Sequence, residues 1–224
     1  MVWLVRRRMD KKIKWHRRLL PALILACATV LVAAGCGGSG SDSTTDASAD
    51  GGGHAKFAGA EASPPKPAAP LALDNSLGEP VNLREYKGKA VLVTFIYTHC
   101  PDVCPLIVSH LKTAQALLGP KADKLQIVAV STDPRGDNPK TVAAFLHDHG
   151  MTGRMQYLIG NQAELGHVWK EWNIVSHPAK AGRDLVEHSA LVYGIGADGK
   201  ITTLYPANFS PSEIAHDVPL LEQQ

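Results

Sequence analysis

Two cysteines, Cys100 and Cys104, stand four residues apart in the run TFIYTHCPDVCP, residues 94–105. At that spacing, at the start of a helix, the two side chains fall on one face and their sulfurs can meet. The positive end of the helix favours thiolate over thiol. A close pair of thiolates suits two chemistries, holding a soft metal ion and exchanging a disulfide. The spacing leaves both open.

The elements around the pair set its position. Residues 91–97 (VLVTFIY) are almost all apolar, β-branched or aromatic, which predicts a central strand covered on both faces. From Pro105 the period changes: Ile107, Leu111, Ala114 and Leu118 recur at helical spacing, while Ser109, Lys112 and Gln115 point elsewhere. Asp102 reads as a residue that orients or caps the turn. Residues 125–130 (LQIVAV) form a second apolar strand, ending in a Ser-Thr-Asp-Pro turn in which Asp133 and Asp137 are turn residues. Helices over 141–149 and 162–170, a short strand at 156–159, an extended piece at 172–175 and a loop at 176–187 follow. Residues 189–195 are a strand, 197–200 an Asp-Gly hairpin turn and 201–205 the returning strand. The last helix, 210–221, has Ser210 as its cap and Pro211 in its first turn. Upstream, residues 71–83 form two short strands about a turn at 76–78. Strands alternating with helices, closed by a hairpin, predict an α/β sandwich with a mixed central sheet flanked by helices.

The overall charge of +2 hides an asymmetry. The first eighteen residues carry eight Lys and Arg against Asp10, a net +7, so the remainder carries −5. A mildly acidic body is a poor phosphate-tracking surface, so nucleic acid is not an expected partner. The basic head and the apolar run at 19–35 predict a secretory signal over residues 1–35, with Met9 an alternative start. Ala33-Ala34-Gly35-Cys36 resembles the lipobox of bacterial lipoproteins, which implies lipidation of Cys36 and a lipid anchor in the cell membrane. The competing reading is an uncleaved membrane-spanning anchor. In both, the chain beyond Cys36 lies on the extracytoplasmic face. Cys27 falls inside the apolar run and belongs to no site. Residues 36–70 then read as a tether, first a Gly/Ser/Asp-rich disordered stretch containing His54, then a stiffer Pro-rich spacer. The folded domain is expected over residues 71–224.

TFIYTHCPDVCP at 94–105, STDPRGDNP at 131–139 and EHSALVYGIGADGKI at 187–201 together resemble the Sco/SenC family. The resemblance covers roughly residues 71–221. It implies a thioredoxin-like fold, a membrane anchor on the outer side, and copper bound by two cysteines and one histidine. The ligands would be Cys100, Cys104 and His188. It further implies delivery of copper to the dinuclear site in the copper-bearing subunit of cytochrome c oxidase, a chaperone's task rather than an enzyme's. The departures are small: Glu187 stands where the family commonly has aspartate, and the loop at 176–186 is short.

Copper suits this donor set. Cu(I) accepts two or three soft ligands, whereas a structural zinc site wants four, and no fourth is evident. The thiols must be reduced to bind, so metal loading and disulfide formation exclude each other. The chain has ten histidines, so one near the cysteines is weak evidence of a ligand. His99 adjoins Cys100 at a strand end and is expected to face elsewhere. His110 lies along the helix, away from its start. His147 and His149 suit a helix C-terminus, and His167, His177 and His216 read as surface residues. Phe95, Tyr97, Trp169, Trp172 and Tyr193 are core or site-flanking aromatics. The alternative function is a thiol-disulfide oxidoreductase in which Cys100 attacks and Cys104 resolves, reducing a partner's cysteines. Three residues between the cysteines, where thioredoxin-like reductases usually have two, count partly against it. A peroxidase-like reading has Thr98 but no arginine near Cys100.

Overall fold

The computed structural model describes residues 57–177, 187–188 and 190–224. The expected leader, Cys27, Cys36, His54 and most of the tether lie outside these residues. Among the described residues no helix is long and apolar enough to cross a membrane.

The chain runs β1 (Ala60–Pro67), β2 (Ala72–Asn75), β3 (Pro80–Asn82), β4 (Ala90–Ile96), α1 (Val103–Leu118), β5 (Leu125–Ser131), α2 (Pro139–Asp148), β6 (Gln156–Ile159), α3 (Gln162–Glu171), β7 (Ser176–His177), β8 (Glu187–His188), β9 (Leu191–Ile195), β10 (Lys200–Pro206) and α4 (Pro211–Leu221). Eight strands form one sheet in the order β1-β10-β9-β4-β5-β6-β2-β3, and β7 and β8 pair apart from it. The pairs β4–β5 and β5–β6 are parallel. The neighbouring pairs β4–β9 and β2–β6 are antiparallel, so the sheet is mixed as expected.

Strand β4 is buried along its whole length, which is why its sequence shows no polar alternation. Its odd and even residues enter different cores. Ala90, Leu92 and Ile96 pack with Ile107, Leu111 and Leu118 of α1, Phe145 of α2, and Ile214 and Val218 of α4. Val91, Val93 and Phe95 face the other way, onto Leu165, Val168 and Trp169 of α3. Thr94, buried in mid-strand, satisfies its hydroxyl on the Leu191 carbonyl at 3.0 Å. Phe95, Trp172 and Tyr193 form an aromatic cluster with centroids 5.4 to 6.1 Å apart.

Helix starts follow local chemistry. Asn138, Asn161 and Ser210 each take part in a capping box at the head of α2, α3 and α4. The Ser210 cap and Pro211 match the sequence reading.

Two expectations differ from the structure. The Pro-rich spacer does not run free to residue 70: Ala60–Pro67 is strand β1, antiparallel to β10, with Ala60 opposite Leu204 and Pro67 opposite Lys200. Extended Pro-rich chain already has near-strand dihedrals, and an edge strand tolerates residues lacking an N–H. The piece expected to be extended at 172–175 begins instead as the turn that ends α3. Trp172 is the C-cap of α3, and Asn173 takes a left-handed φ of 53°.

Candidate functional site

Chain direction brings the cysteines and the predicted histidine to one end of the sheet. β4 runs out at Ile96, and the turn at 97–102 carries Cys100 into α1, where Cys104 lies in the first turn. β9 is antiparallel to β4, with Thr94 opposite Val192. The residues that lead into β9 therefore approach the end of β4 from which the cysteines hang. His188 stands there, three residues before β9, in the two-residue strand β8 whose backbone pairs with β7, His188 opposite Ser176. The Ser176 hydroxyl donates to the Thr132 carbonyl at 3.2 Å, tying β7 to the loop that follows β5. The side chain of His188 lies outside the described residues, as does the loop at 178–186.

The two thiols are not joined by a disulfide, and their environments differ. Cys104 is buried, and Cys100 is partly exposed. The backbone N–H of Cys104 donates to Cys100 Sγ at 3.4 Å. Asp102 occupies the cap position of α1 but makes no capping bond with its side chain, so the expected capping role passes to the Cys100 sulfur. That sulfur sits where a helix terminus offers unpaired N–H groups and partial positive charge.

The electrostatics follow. Cys100 is lowered from the usual 9.0 to about 5, first by a hydrogen bond from the Cys104 thiol. Burial opposes the shift, and the backbone of Asp102 and Cys104 and the Tyr97 side chain reinforce it. Cys104 moves upward, because its proton serves Cys100 and because it is buried; the charges of Cys100 and Asp137 add to this. The pair thus holds one proton between two sulfurs, with Cys100 the thiolate.

The other candidates separate from this cluster. His99 is exposed, and its Nδ1 lies 3.1 Å from the Thr98 hydroxyl. His110 packs edge-on against Phe209 and belongs to the α1–α4 side. His149 packs at a tilt against Phe145. His216 is at the surface but bonds Asp217 through Nδ1 at 2.7 Å. Tyr97 is buried beside the thiols, as a site-flanking aromatic should be. Among the described residues no three His, Cys, Asp or Glu side chains are grouped to hold a metal.

Asp137 is the residue that sequence reasoning missed. Read as a turn residue, it is buried and accepts hydrogen bonds from Thr98, Ser131 and Tyr157. Burial raises its carboxyl above the ordinary range, and those hydrogen bonds partly offset the rise. No local signal distinguishes it from Asp133, since both sit in one polar turn and only the tertiary fold buries one of them.

A match to the SCO1/SenC family model spans residues 60–221. A SCO1 protein homolog of Bacillus subtilis is 30% identical over 142 residues, 61% of this chain and 72% of the relative. The chain spans about half the length of the mouse and human mitochondrial SCO1 homologs it matches, 54% and 50%. The structure of Bradyrhizobium japonicum ScoI with copper bound superposes with a TM-score of 0.62 at 30% identity, covering 69% of this chain and 98% of that one. The structure of BsSco, described as having a disulfide switch and as a member of the Sco family of cytochrome c oxidase assembly proteins, gives 0.59 at 29% identity over 71% and 95%. These relatives share the thioredoxin-like architecture found here. The family model covers the folded region from β1 to the end of α4, and on that ground the chain belongs to the SCO1/SenC family.

Proposed function

We propose that the chain is a membrane-anchored, extracytoplasmic copper chaperone. It holds copper on Cys100, Cys104 and His188 and delivers it to the dinuclear copper site of cytochrome c oxidase. The observation that carries this reading is the unequal thiol pair. Cys100 is partly exposed, its thiol is pushed down to about 5, and beside it stands a buried Cys104 whose proton is released to solvent when a metal takes its place. The approach of the His188 backbone to the same end of the sheet supports an imidazole as third donor. The copper-bound ScoI relative supports the choice of metal, and the description of BsSco supports oxidase assembly as the setting. Delivery is ligand exchange: a recipient's thiol or imidazole replaces the exposed Cys100 first, then the deeper donors. The signal-like leader and Cys36 support a lipid anchor outside the cytoplasm.

The test is a titration of the reduced chain from Gly37 onward with Cu(I) against a competing chelator, without oxygen. One tightly held copper, weakened in Cys100→Ala, Cys104→Ala and His188→Ala, is expected. Binding indifferent to His188→Ala would sink the three-donor site.

The low Cys100 value also favours a second reading, a thiol-disulfide oxidoreductase. The Cys100 thiolate would attack one sulfur of a partner's disulfide and release the other as thiolate. Cys104 would then attack the mixed disulfide, leaving the partner a dithiol and this chain a disulfide. In this reading His188→Ala removes the tight copper binding and leaves dithiol exchange largely intact.

A further inference from the structure

Asp137 lies on the turn between β5 and α2 and is 6% exposed. An aspartate in a polar turn normally points to water. Here both carboxylate oxygens are taken up by the protein. Oδ1 accepts from the Thr98 backbone N–H at 2.9 Å and from the Thr98 hydroxyl at 2.7 Å. Oδ2 accepts from Ser131 Oγ at 2.6 Å and from the Tyr157 hydroxyl at 2.9 Å. Ser131 closes β5 and Tyr157 stands on β6, so Oδ2 is fixed to the rigid sheet. Oδ1 grips a single residue by main chain and side chain together, and that residue lies two positions before Cys100.

A second observation shows how closely the two turns meet. A Cβ at Gly136 would overlap Asp133 Oδ2 and come within 3.1 Å of His99 Nδ1, so the Asp137 turn lies close against the cysteine turn. The backbone agrees: Thr132 N–H donates to the Ile96 carbonyl at 2.9 Å, and Asp137 N–H to the Asp133 carbonyl at 2.9 Å. The cysteine turn's own backbone bond, Cys100 N–H to the Tyr97 carbonyl, is long at 3.4 Å.

We propose that Asp137 is a positioning residue for the cysteine pair. Through Thr98 it holds the turn in the geometry that sets Cys100 Sγ against the N-terminus of α1 beside Cys104. It does so without touching the metal, since its two oxygens already serve four donors. This rests on the reading of Cys100 and Cys104 as the working thiols, and it deepens that reading. A turn released from Thr98 would disturb both reactions of the pair, binding Cu(I) and closing a disulfide.

The test uses the full-length protein with Asp137→Ala, Asp137→Asn and Thr98→Val. The first readout is Cu(I) affinity by chelator competition. The second is the dithiol–disulfide equilibrium against glutathione, in which the pair passes two electrons and its one proton to glutathione disulfide, solvent supplies the second proton, and the pair gains the Cys100–Cys104 bond. Asp137→Ala removes the grip and is expected to weaken Cu(I) binding about tenfold or more, with a comparable change in the glutathione equilibrium. Asp137→Asn keeps a carbonyl oxygen for Thr98, while the Ser131 and Tyr157 hydroxyls can turn to accept from its amide. It is expected to retain both quantities within about threefold. Thr98→Val keeps the N–H bond alone and falls between.

A folded Asp137→Ala with wild-type affinity and equilibrium overturns the proposal. So does an Asp137→Asn as impaired as Asp137→Ala, because the charge rather than the grip would then matter. Should Asp137→Ala fail to fold by circular dichroism, Thr98→Val decides: a wild-type result in both readouts overturns the proposal, and a loss with Asp137→Asn intact supports it. Failure of the wild type to hold Cu(I) would defeat the copper reading alone, and the glutathione equilibrium would then decide the positioning role by the same criteria.

Discussion

Asp137 and Asp217 are both buried aspartates that collect hydrogen bonds from several segments, yet they serve different regions. Asp217, on α4, is fully buried and accepts from the N–H groups of Ala58 and Gly59, each at 2.8 Å, and from the Tyr205 hydroxyl at 2.9 Å, with His216 Nδ1 2.7 Å away. It fastens the chain just before β1 to the body of the domain. Asp137 grips the turn that carries a thiol. The same chemistry, a carboxylate with its acceptor sites filled, is used once for anchoring and once for alignment. Damage at Asp217 should therefore appear as lost stability, and damage at Asp137 as altered thiol chemistry.

Asp217→Ala should give the largest effect on stability, because it leaves buried donors unpaired. A loss of about 3 kcal/mol in urea unfolding is expected, with Cu(I) affinity per folded molecule unchanged. A change in affinity would break the contrast between the two regions. Gly59→Ala acts on the same anchor by sterics, since a Cβ there would overlap the Tyr205 ring. It should cost about 1–3 kcal/mol and make the chain near residue 58 easier to cleave, which limited proteolysis would show.

At the cysteine end, pH is the sharper probe. The folded value of Cys100, about 5, lies below its ordinary 9.0. A depressed value means that the thiolate stabilises the fold. That contribution is fully present above about 9 and shrinks as pH falls, to vanish below about 5. Unfolding measured across this window in the wild type and in Cys100→Ser should converge toward the acid end, and iodoacetamide should modify Cys100 well below the pH at which ordinary thiols react. Parallel profiles would refute the assignment of Cys100 as the thiolate. His99→Ala should do least. The ring is exposed and its Nδ1 lies beside the neighbouring Thr98 hydroxyl, so a change in Cu(I) affinity below about threefold is expected. A larger loss would move His99 into the metal site.

The sequence was most legible where a pattern is local. β4 and α1 follow from an apolar run and a change of period. The β9–β10 hairpin follows from its Asp-Gly turn, and the α4 start from Ser210 and Pro211. Cys100 and Cys104 stand out by type and spacing, whereas His188 is singled out only by the resemblance of its stretch to the Sco/SenC family, and it is the antiparallel β9 of the structure that brings its backbone toward the same end of the sheet. β1 was obscured because an extended Pro-rich spacer and an edge strand share backbone dihedrals. What separates them is a partner, here β10, and the Asp217 anchor that binds residues 58 and 59 some 160 residues away in sequence.

By itself, then, the amino-acid order determined the strand–turn–helix unit, the thiol pair and the alternation that makes an α/β sandwich, because each depends on neighbours within a few residues. Only the tertiary structure decided which sulfur is ionised, which of two aspartates in one turn is buried, and where the domain begins. Those outcomes depend on burial and on donors supplied by distant strands. Asp133 and Asp137 are chemically identical four residues apart, and the difference between them is the set of donors that β5, β6 and the turn after β4 bring to one of them.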